Sequence, residues 1–307
     1  TNLSLMKVVI PYTPMRFIQG NCLDKLQELE DNSIDCVVSS PPYFGLKNYG
    51  VDGQFGLDKT YQDYVTSTIK VFETFKPKLK ETATIWWNIG DSYKNKNLLM
   101  IPNRVAIALQ DAGWFIRSEI IWQKTNCNPE STLDRPTNSH EKIWLITKSA
   151  KYYYDAEAIK EPQKLDSIKR CGRDTWNSKI GKFKYAIPNV EAFKTKNKKV
   201  FDLYKSGKTP LKNKRNVWSL ARSSFRAAHF ATFPIKLIEP CIKAGCPENG
   251  TVLDPFAGAG TVGLVCKQLN REAILIELNP DYIEIAKNRI NENNNSLYAK
   301  EATSLSS

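Results

Sequence analysis

The sequence predicts an α/β fold built around a mostly parallel sheet. Apolar, β-branched runs alternate with segments of helical spacing along much of the 307-residue chain, a pattern typical of parallel strands joined by helices. A glycine-rich turn at residues 258–263 follows one such run and precedes a helical segment, as turns in parallel sheets often do. The hydrophobic content of 41% is enough for one large core or two domains.

The first half of the chain supplies most of the predicted strands. Residues 17–39 have the pattern strand, helix, strand, ending in the β-branched run IDCVVSS. Residues 61–79 place apolar side chains at helical spacing, and the run TATIWWNIGDSY after them predicts a buried strand that ends near Asp91. Pro102 suits the first turn of a further helix, and the segments WFIRSEIIWQK and HEKIWLITKS predict two more strands.

The middle of the chain has a different character. Residues 155–216 contain 17 Lys or Arg against 7 Asp or Glu, an excess of ten positive charges out of a net +12. Periodicity is lost there, so we predict a loop-like basic insert that contacts a polyanion, with a solvated lysine-rich surface as the alternative. The predicted domains are 1–154, 155–216 and 217–307, and the first and last form one fold.

Composition also disfavours several classes of protein. Seven cysteines are dispersed without a C-x-x-C pair, and only two histidines are present. This usage favours reduced thiols in the cytoplasm over a disulfide framework, and it argues against a zinc site. The chain lacks an uninterrupted apolar run of about 18 residues, so we expect no membrane span.

The glycine turn carries the first sign of a ligand. Gly258, Gly260 and Gly263 fit the pattern G-x-G-x-x-G, and Glu277 ends the next predicted strand, where an acid binds ribose hydroxyls. Asp254 precedes the turn, and its charge would repel a pyrophosphate but suit a cationic ligand. S-adenosyl-L-methionine, which carries an ammonium and a ribose, fits best. The alternatives are a turn without a ligand and a nicotinamide dinucleotide.

The tetrapeptide Ser40-Pro41-Pro42-Tyr43 follows a predicted strand that two prolines cannot continue. The Ser40 hydroxyl and the Pro41 carbonyl can accept hydrogen bonds from an exocyclic amine and stabilise the charge that develops during methyl transfer. Tyr43 can lie against a base rotated out of a duplex. An ordinary loop is the alternative for the tetrapeptide taken alone.

Together these segments resemble a known family. The segments SSPPY, WWNIGDSY, HFATFPIKLIEPCI and VLDPFAGAGT, in this order, are similar to those of the β group of amino-methylating DNA methyltransferases. The resemblance covers roughly residues 15–290. It implies a Rossmann-like methyltransferase fold: a seven-stranded, mostly parallel sheet with helices on both faces and a target-recognition region at 155–216.

The resemblance also implies site residues. The catalytic residues would be Ser40, Pro41, Pro42 and Tyr43. Contacts to S-adenosyl-L-methionine would come from Asn21, Cys22, Phe233, Pro234, Asp254, Phe256, Ala257, Gly258, Gly260, Thr261, Glu277 and Asn279. Asn21 stands where the family usually has aspartate, and its amide oxygen would accept from the adenine amine.

Serine at the first position of the tetrapeptide goes, in the resemblance, with methylation of cytosine N4. Adenine N6 is the alternative. The partner would be double-stranded DNA, contacted by Arg170, Arg173, Asn177, Lys194, Lys196, Lys198, Lys199, Lys212, Lys214 and Arg215. A restriction–modification role is expected, with a cognate endonuclease and a monomeric or homodimeric state. A non-catalytic DNA-binding protein is the alternative from another class.

Two further residues have ordinary structural interpretations. Asp91 is expected either to help place the base or to cap a helix. Glu141, at the start of a predicted strand, is expected to be an edge-strand charge without a catalytic role.

Overall fold

The computed structural model describes residues 14–45, 50, 53–172, 190–222 and 233–291. The strands are β1 (Met15–Gln19), β2 (Ile34–Ser39), β3 (Leu79–Ile89), β4 (Tyr93–Lys94), β5 (Asn97–Leu98), β6 (Phe115–Lys124), β7 (His140–Thr147), β8 (Glu161–Pro162), β9 (Leu211–Lys212), β10 (Val217–Leu220), β11 (Thr251–Asp254) and β12 (Glu272–Glu277). The helices are α1 (Cys22–Gln27), α2 (Tyr61–Phe75), α3 (Ile101–Asp111), α4 (Leu165–Cys171), α5 (Val190–Lys205), α6 (Ile235–Gly245), α7 (Thr261–Gln268) and α8 over residues 280–291.

One large sheet dominates the described part of the chain, in the order β1-β12-β11-β2-β3-β7-β6-β10. Every neighbouring pair is parallel except the two that involve β7. The α/β class is confirmed. The described residues form eight strands rather than seven in this sheet, because β10 adds an edge strand beside β6.

Strand direction decides which side chains can meet. The carboxyl ends of β2, β3, β6, β11 and β12 share one edge of the sheet, and the reversed strand β7 begins at that same edge. Ligands of open α/β sheets bind outside the carboxyl ends of the strands. Residues that follow β2 and β11, and residues that open β7, are therefore brought together.

Helices cover both faces of the sheet. On β3, Ile85 and Trp87 belong to the core cluster that also holds buried residues of α1, α2 and α3. Thr84 and Trp86, which alternate with these two residues along β3, face Gly245 at the end of α6. The Thr84 hydroxyl donates to the Gly245 carbonyl at 2.9 Å. Alternate residues of a strand point to opposite faces, so α1–α3 and α6 lie on opposite sides.

Ala156–Arg215 form a compact unit of their own. The expectation of a loop-like insert was wrong for its described residues, which include α4, α5 and the antiparallel pair β8–β9. The two helices pack closely, since a Cβ on Gly172 would lie 2.5 Å from the Phe201 ring. Separately, none of the helices that the structure describes is long and apolar enough to cross a membrane.

Candidate active site

A cavity of about 730 Å³ opens at the carboxyl edge of the sheet. Its wall includes the whole tetrapeptide from Ser40 to Tyr43, and it also includes Gly258 and Glu277. Two motifs more than 200 residues apart in the chain thus face one space. Of the predicted cofactor residues, the wall contains Asn21, Cys22, Phe233, Phe256, Ala257, Gly258, Thr261, Glu277 and Asn279.

Glu277 and the glycine loop form one side of this cavity. The Glu277 carboxylate accepts the backbone N–H of Gly258 at 2.8 Å with one oxygen and that of Asn279 at 2.9 Å with the other. Each carboxylate oxygen keeps a further lone pair, as two ribose hydroxyls require. Burial raises the pKa of Glu277, and backbone hydrogen bonds from Asn279, Gly258 and Leu278 act against that rise.

Gly258 leaves space where a ligand can approach the backbone. It has φ +50°, and a Cβ at this position would meet no atom within 4 Å. Because Gly258 lines the cavity, an added side chain would enter that space. The loop is fixed from behind by Arg289, whose guanidinium donates to the Ala259 carbonyl at 3.0 Å and to the Thr261 hydroxyl at 2.9 Å. These residues fit S-adenosyl-L-methionine.

Asn21 and Cys22 lie where β1 leads into α1. The Asn21 side chain caps α1, because its Oδ1 accepts the Leu23 N–H at 2.9 Å, and its amide donates to the Gly53 carbonyl at 3.3 Å. The backbone N–H of Gly20 donates to the Glu277 carbonyl at 3.0 Å, which holds this turn beside the glycine loop. Burial raises the pKa of the Cys22 thiol to about 12, so it is not an ionised nucleophile.

Three predicted cofactor residues are not part of the cavity wall: Pro234, Asp254 and Gly260. Pro234 caps the start of α6, and Gly260, with φ +73°, packs its backbone against Ala286. Asp254 is only 1% exposed and accepts from the Ser39 hydroxyl at 2.6 Å and from the Phe256 N–H at 3.1 Å. Asp254 therefore supports the loop from behind, and direct contacts of these three residues with the cofactor stay a prediction.

The tetrapeptide is held by contacts from three sides. The Tyr64 hydroxyl on α2 donates to the Pro42 carbonyl at 3.0 Å. A Cβ on Gly90 would lie 2.6 Å from the Tyr43 ring, so the absence of a side chain there makes room for this ring. No residue in the described parts of the chain donates to the Pro41 carbonyl, which leaves that acceptor available to a substrate.

Sequence reasoning missed several polar residues of the wall, among them three beside Tyr43: Asn88, Lys124 and Glu141. Glu141 accepts a hydrogen bond from the Tyr43 hydroxyl at 2.7 Å and forms an ion pair with Lys124. Asn88 donates to the Tyr43 oxygen at 2.7 Å. The interpretation of Glu141 as a mere edge charge was wrong. The position of Glu141 beside Tyr43 follows only from the strand order, because the reversed strand β7 begins at the edge where β3 and β6 end.

The Asp91 side chain accepts a hydrogen bond from the first turn of a helix. Its Oδ1 accepts the N–H of Ile101, the first residue of α3, at 3.0 Å. It is absent from the wall of the large cavity, so the capping alternative describes it.

The predicted DNA contacts lie in the unit Ala156–Arg215, apart from Arg173 and Asn177, which are outside the described residues. Lys196, Lys198 and Lys199 are exposed on α5, and Lys194 pairs with Glu191 at 2.9 Å. Arg170 is exposed at the end of α4, and Lys214 is half-buried.

Lys212 and Arg215 are predicted from the sequence to contact base edges, but both pair with Glu161, at 3.2 and 2.7 Å. Burial favours a higher pKa for Glu161, yet the hydrogen bonds from Arg215 and Lys212 outweigh it and the pKa is lowered. The positive charges of Lys212 and Arg215 are therefore partly neutralised by Glu161.

Known proteins resemble this chain over most of its length. The sequence profile of the DNA methylase family, which covers N6 and N4 enzymes, matches residues 34–288. The type II methyltransferase M.Cfr9I of Citrobacter freundii is 38% identical, with 89% of this chain and 86% of that protein aligned. M.SmaI of Serratia marcescens, also a type II methyltransferase, is 37% identical with 90% of both chains aligned.

Solved structures show the same fold. The PvuII DNA methyltransferase, described as cytosine-N4-specific, superposes with a TM-score of 0.65 at 18% identity, covering 90% of this chain and 86% of that one. A putative DNA modification methylase of Thermus thermophilus, complexed with S-adenosyl-L-methionine, gives a TM-score of 0.58 at 20% identity, covering 90% and 94%. The chain therefore belongs to the DNA methylase family, as a type II restriction–modification methyltransferase whose methyl donor is S-adenosyl-L-methionine.

Proposed function

We propose that the enzyme methylates the exocyclic N4 of cytosine in double-stranded DNA. The observation that carries this proposal is a neutral hydroxyl, that of Ser40, at the cavity position where a carboxylate would suit adenine. A neutral acceptor avoids placing a negative charge beside the electron-rich edge of the cytosine ring. The likeness to a structure described as cytosine-N4-specific supports the same choice.

The chain's own residues would prepare the amine for reaction. Ser40 Oγ and the Pro41 carbonyl accept its two N–H groups, which draws the nitrogen toward tetrahedral geometry and stabilises its developing positive charge. The prolines and the Tyr64 contact hold these acceptors rigid before the substrate arrives. S-adenosyl-L-methionine supplies an electrophilic methyl group when bound. Glu277, Gly258 and Asn279 would orient its ribose beside the tetrapeptide, so that transfer is direct and needs no covalent enzyme intermediate.

The target base would leave the duplex to react. The tetrapeptide lines a cavity rather than an open surface, and an exocyclic amine inside a paired duplex cannot reach such a wall. The Tyr43 ring and the wall residue Trp122 provide apolar surface for an extruded base. We therefore propose base flipping as part of the cycle.

The unit Ala156–Arg215 is proposed as the target-recognition region. Its exposed lysines on α5 would contact phosphates, and the predicted candidates Arg170, Arg173, Asn177 and Lys214 would contact bases. The proposal extends to host-DNA protection beside an endonuclease with the same site, in a monomer or homodimer. A cytoplasmic location stays a prediction.

Two alternatives have distinct consequences. Adenine N6 methylation would require the larger purine to place its amine at the same two acceptors. A DNA-binding protein without turnover is disfavoured because the whole tetrapeptide and nine of the predicted cofactor residues line one cavity.

Nucleoside analysis decides among these possibilities. Duplex DNA of mixed sequence would be incubated with the enzyme and methyl-labelled cofactor, digested to nucleosides and examined by mass spectrometry. We expect N4-methylcytosine. N6-methyladenine without N4-methylcytosine would overturn the base assignment, and the absence of labelled nucleosides would favour the non-catalytic alternative.

A further inference from the structure

The inference concerns the proton of the Ser40 hydroxyl, and it rests on the proposed function. Ser40 can serve the target amine as an acceptor only if its own proton points elsewhere. Two polar groups lie near it: the Tyr43 hydroxyl at 3.1 Å and the Asn88 amide nitrogen at 3.2 Å. The amide nitrogen is a donor, so it cannot take the proton.

The Tyr43 hydroxyl is committed as a donor in the opposite direction. Its oxygen lies 2.7 Å from Glu141 Oε2, and an ionised carboxylate only accepts hydrogen bonds. Burial, and next the nearby charge of Glu141, raise the pKa of Tyr43 well above its ordinary value of 10, so the phenol keeps its proton. Asn88 adds a second donor to the Tyr43 oxygen at 2.7 Å and one to Glu141 Oε2 at 3.0 Å.

Lys124 determines which carboxylate oxygen faces Tyr43. Its ammonium pairs with Oε1 of Glu141, and the side chains are only 16% and 14% exposed. A pair so shielded from water keeps more of its electrostatic strength than a surface pair does. Lys124 is itself placed 5.3 Å from the centre of the Trp122 ring. The other oxygen, Oε2, is thereby left to Tyr43 and Asn88.

We propose that Glu141 is the positioning residue for Ser40, through a directed chain of hydrogen bonds Ser40→Tyr43→Glu141. Because Tyr43 donates to Glu141, its oxygen accepts the Ser40 proton. Ser40 also accepts from Asn88 at 3.2 Å and keeps one lone pair for the target amine. The residues involved come from the end of β2, β3, β6 and the first residues of β7, which the strand order brings to one edge.

The hydrogen bonds from Ser40 through Tyr43 to Glu141 can also carry away the surplus proton of the product. During transfer the amine lone pair forms the N–C bond, and the electron pair of the broken C–S bond remains on sulfur. The nitrogen then carries one proton too many. That proton passes to Ser40 as the Ser40 proton passes to Tyr43 and the Tyr43 proton to Glu141, which ends neutral. Charge and atoms balance without another reactant.

The variant Glu141→Gln tests the direction of the hydrogen bonds between Ser40, Tyr43 and Glu141, because Gln has almost the same shape as Glu. The Lys124 ammonium, which only donates, would hold the amide oxygen of Gln, so the NH₂ group would face Tyr43. Tyr43 would then donate to Ser40 and occupy the lone pair that the target amine needs. We expect the single-turnover methyl-transfer rate to fall roughly 100-fold, with unchanged affinities for S-adenosylhomocysteine and DNA.

Two further variants make the test decisive. Glu119→Gln is the matched control, because Glu119 also pairs with a lysine, Lys142, across β6 and β7 but is absent from the cavity wall; its rate should equal that of the wild type. Tyr43→Phe should lower the methyl-transfer rate about as much as Glu141→Gln does. The double variant should lower it no further than either single variant, because the hydrogen bonds from Ser40 to Glu141 act as a unit.

Each other result overturns the proposal. A Glu141→Gln rate near the wild-type value would show that Glu141 does not orient Ser40. Loss of S-adenosylhomocysteine binding would assign Glu141 to the cofactor wall, and additive losses in the double variant would show independent roles. The proposed function fails separately, in the wild-type enzyme, if its labelled product is not N4-methylcytosine.

Discussion

The Ser39 hydroxyl donates a hydrogen bond of 2.6 Å to Asp254, although 215 residues separate the two along the chain. Ser39 is the last residue of β2, directly before the tetrapeptide. Asp254 is the last residue of β11, a short distance before the glycine loop. The bond therefore fixes the two motifs of the cavity relative to each other. It is fully buried.

Asp254 predicts a pH dependence of stability. Burial raises its pKa from 3.8 to about 7, while the Ser39 and Phe256 donors act against the rise. A carboxyl with a raised pKa contributes stability that is complete below the unfolded pKa and is lost as pH rises through the folded one. Between about pH 4 and pH 7 the free energy of unfolding should fall by about 1.4 kcal/mol per pH unit from this group.

The variant Asp254→Asn keeps an oxygen for Ser39 and Phe256 but cannot ionise. Chemical denaturation of both proteins from about pH 4 to pH 8 should show the variant gaining stability relative to the wild type as pH rises. Parallel curves would contradict the account of this carboxyl.

Glu277 predicts a specific loss of cofactor affinity. Glu277→Gln replaces one of the carboxylate oxygens that accept Gly258 and Asn279, so the amide must face one backbone donor or a ribose hydroxyl. We expect the dissociation constant for S-adenosylhomocysteine, measured by calorimetry, to rise roughly 10- to 100-fold. Glu272→Gln is the control, because Glu272 begins the same strand at its far end. An unchanged constant in Glu277→Gln would remove Glu277 from the ribose site.

Gly90 predicts a loss of transfer without loss of cofactor. In Gly90→Ala the new Cβ would lie 2.6 Å from the Tyr43 ring, so the ring must shift and its hydroxyl must leave its present position beside Ser40. A misplacement of about 1 Å near a reacting centre costs about 100-fold in rate. Single-turnover assays should show that fall while S-adenosylhomocysteine binds as before; a wild-type rate would mean that the position of the Tyr43 ring is unimportant.

The exposed lysines of α5 predict a uniform, salt-dependent effect on DNA binding. Replacing Lys196, Lys198 and Lys199 with alanine should weaken binding to all sequences alike, and the slope of log K against log salt should become shallower by about 0.9 for each phosphate that a lysine no longer neutralises. Lys194→Ala should have a smaller effect, since Glu191 already offsets its charge. Binding that is unchanged at low salt would place the DNA elsewhere.

Local patterns in the sequence are sufficient to predict much of the fold. The segment that forms β1, α1 and β2 follows from spacing, as do the glycine loop and Glu277, because each depends on residues close together in the chain. The role of the tetrapeptide follows from its combination with the glycine loop and from the family resemblance. The helix α5 could not be predicted in this way, since its many lysines obscure the apolar spacing of the residues that pack against α4.

The remainder of the site depends on strand order, which no local pattern contains. Glu141 and Lys124 lie beside Tyr43 only because β7 runs against its neighbours and opens at the edge where β3 and β6 end. The orientation of Asp254 likewise depends on Ser39 of a strand more than 200 residues away. The glycine motif taken alone predicts that Asp254 contacts the cofactor, whereas the fold buries this carboxyl between the two motifs.

The most direct test of the account is a crystal structure of the enzyme with S-adenosylhomocysteine. The account predicts that the ribose lies at Glu277 and that the sulfur faces the part of the same cavity lined by Ser40 and Pro41. Density for the ligand outside this cavity, or with its sulfur turned away from Ser40, would contradict it.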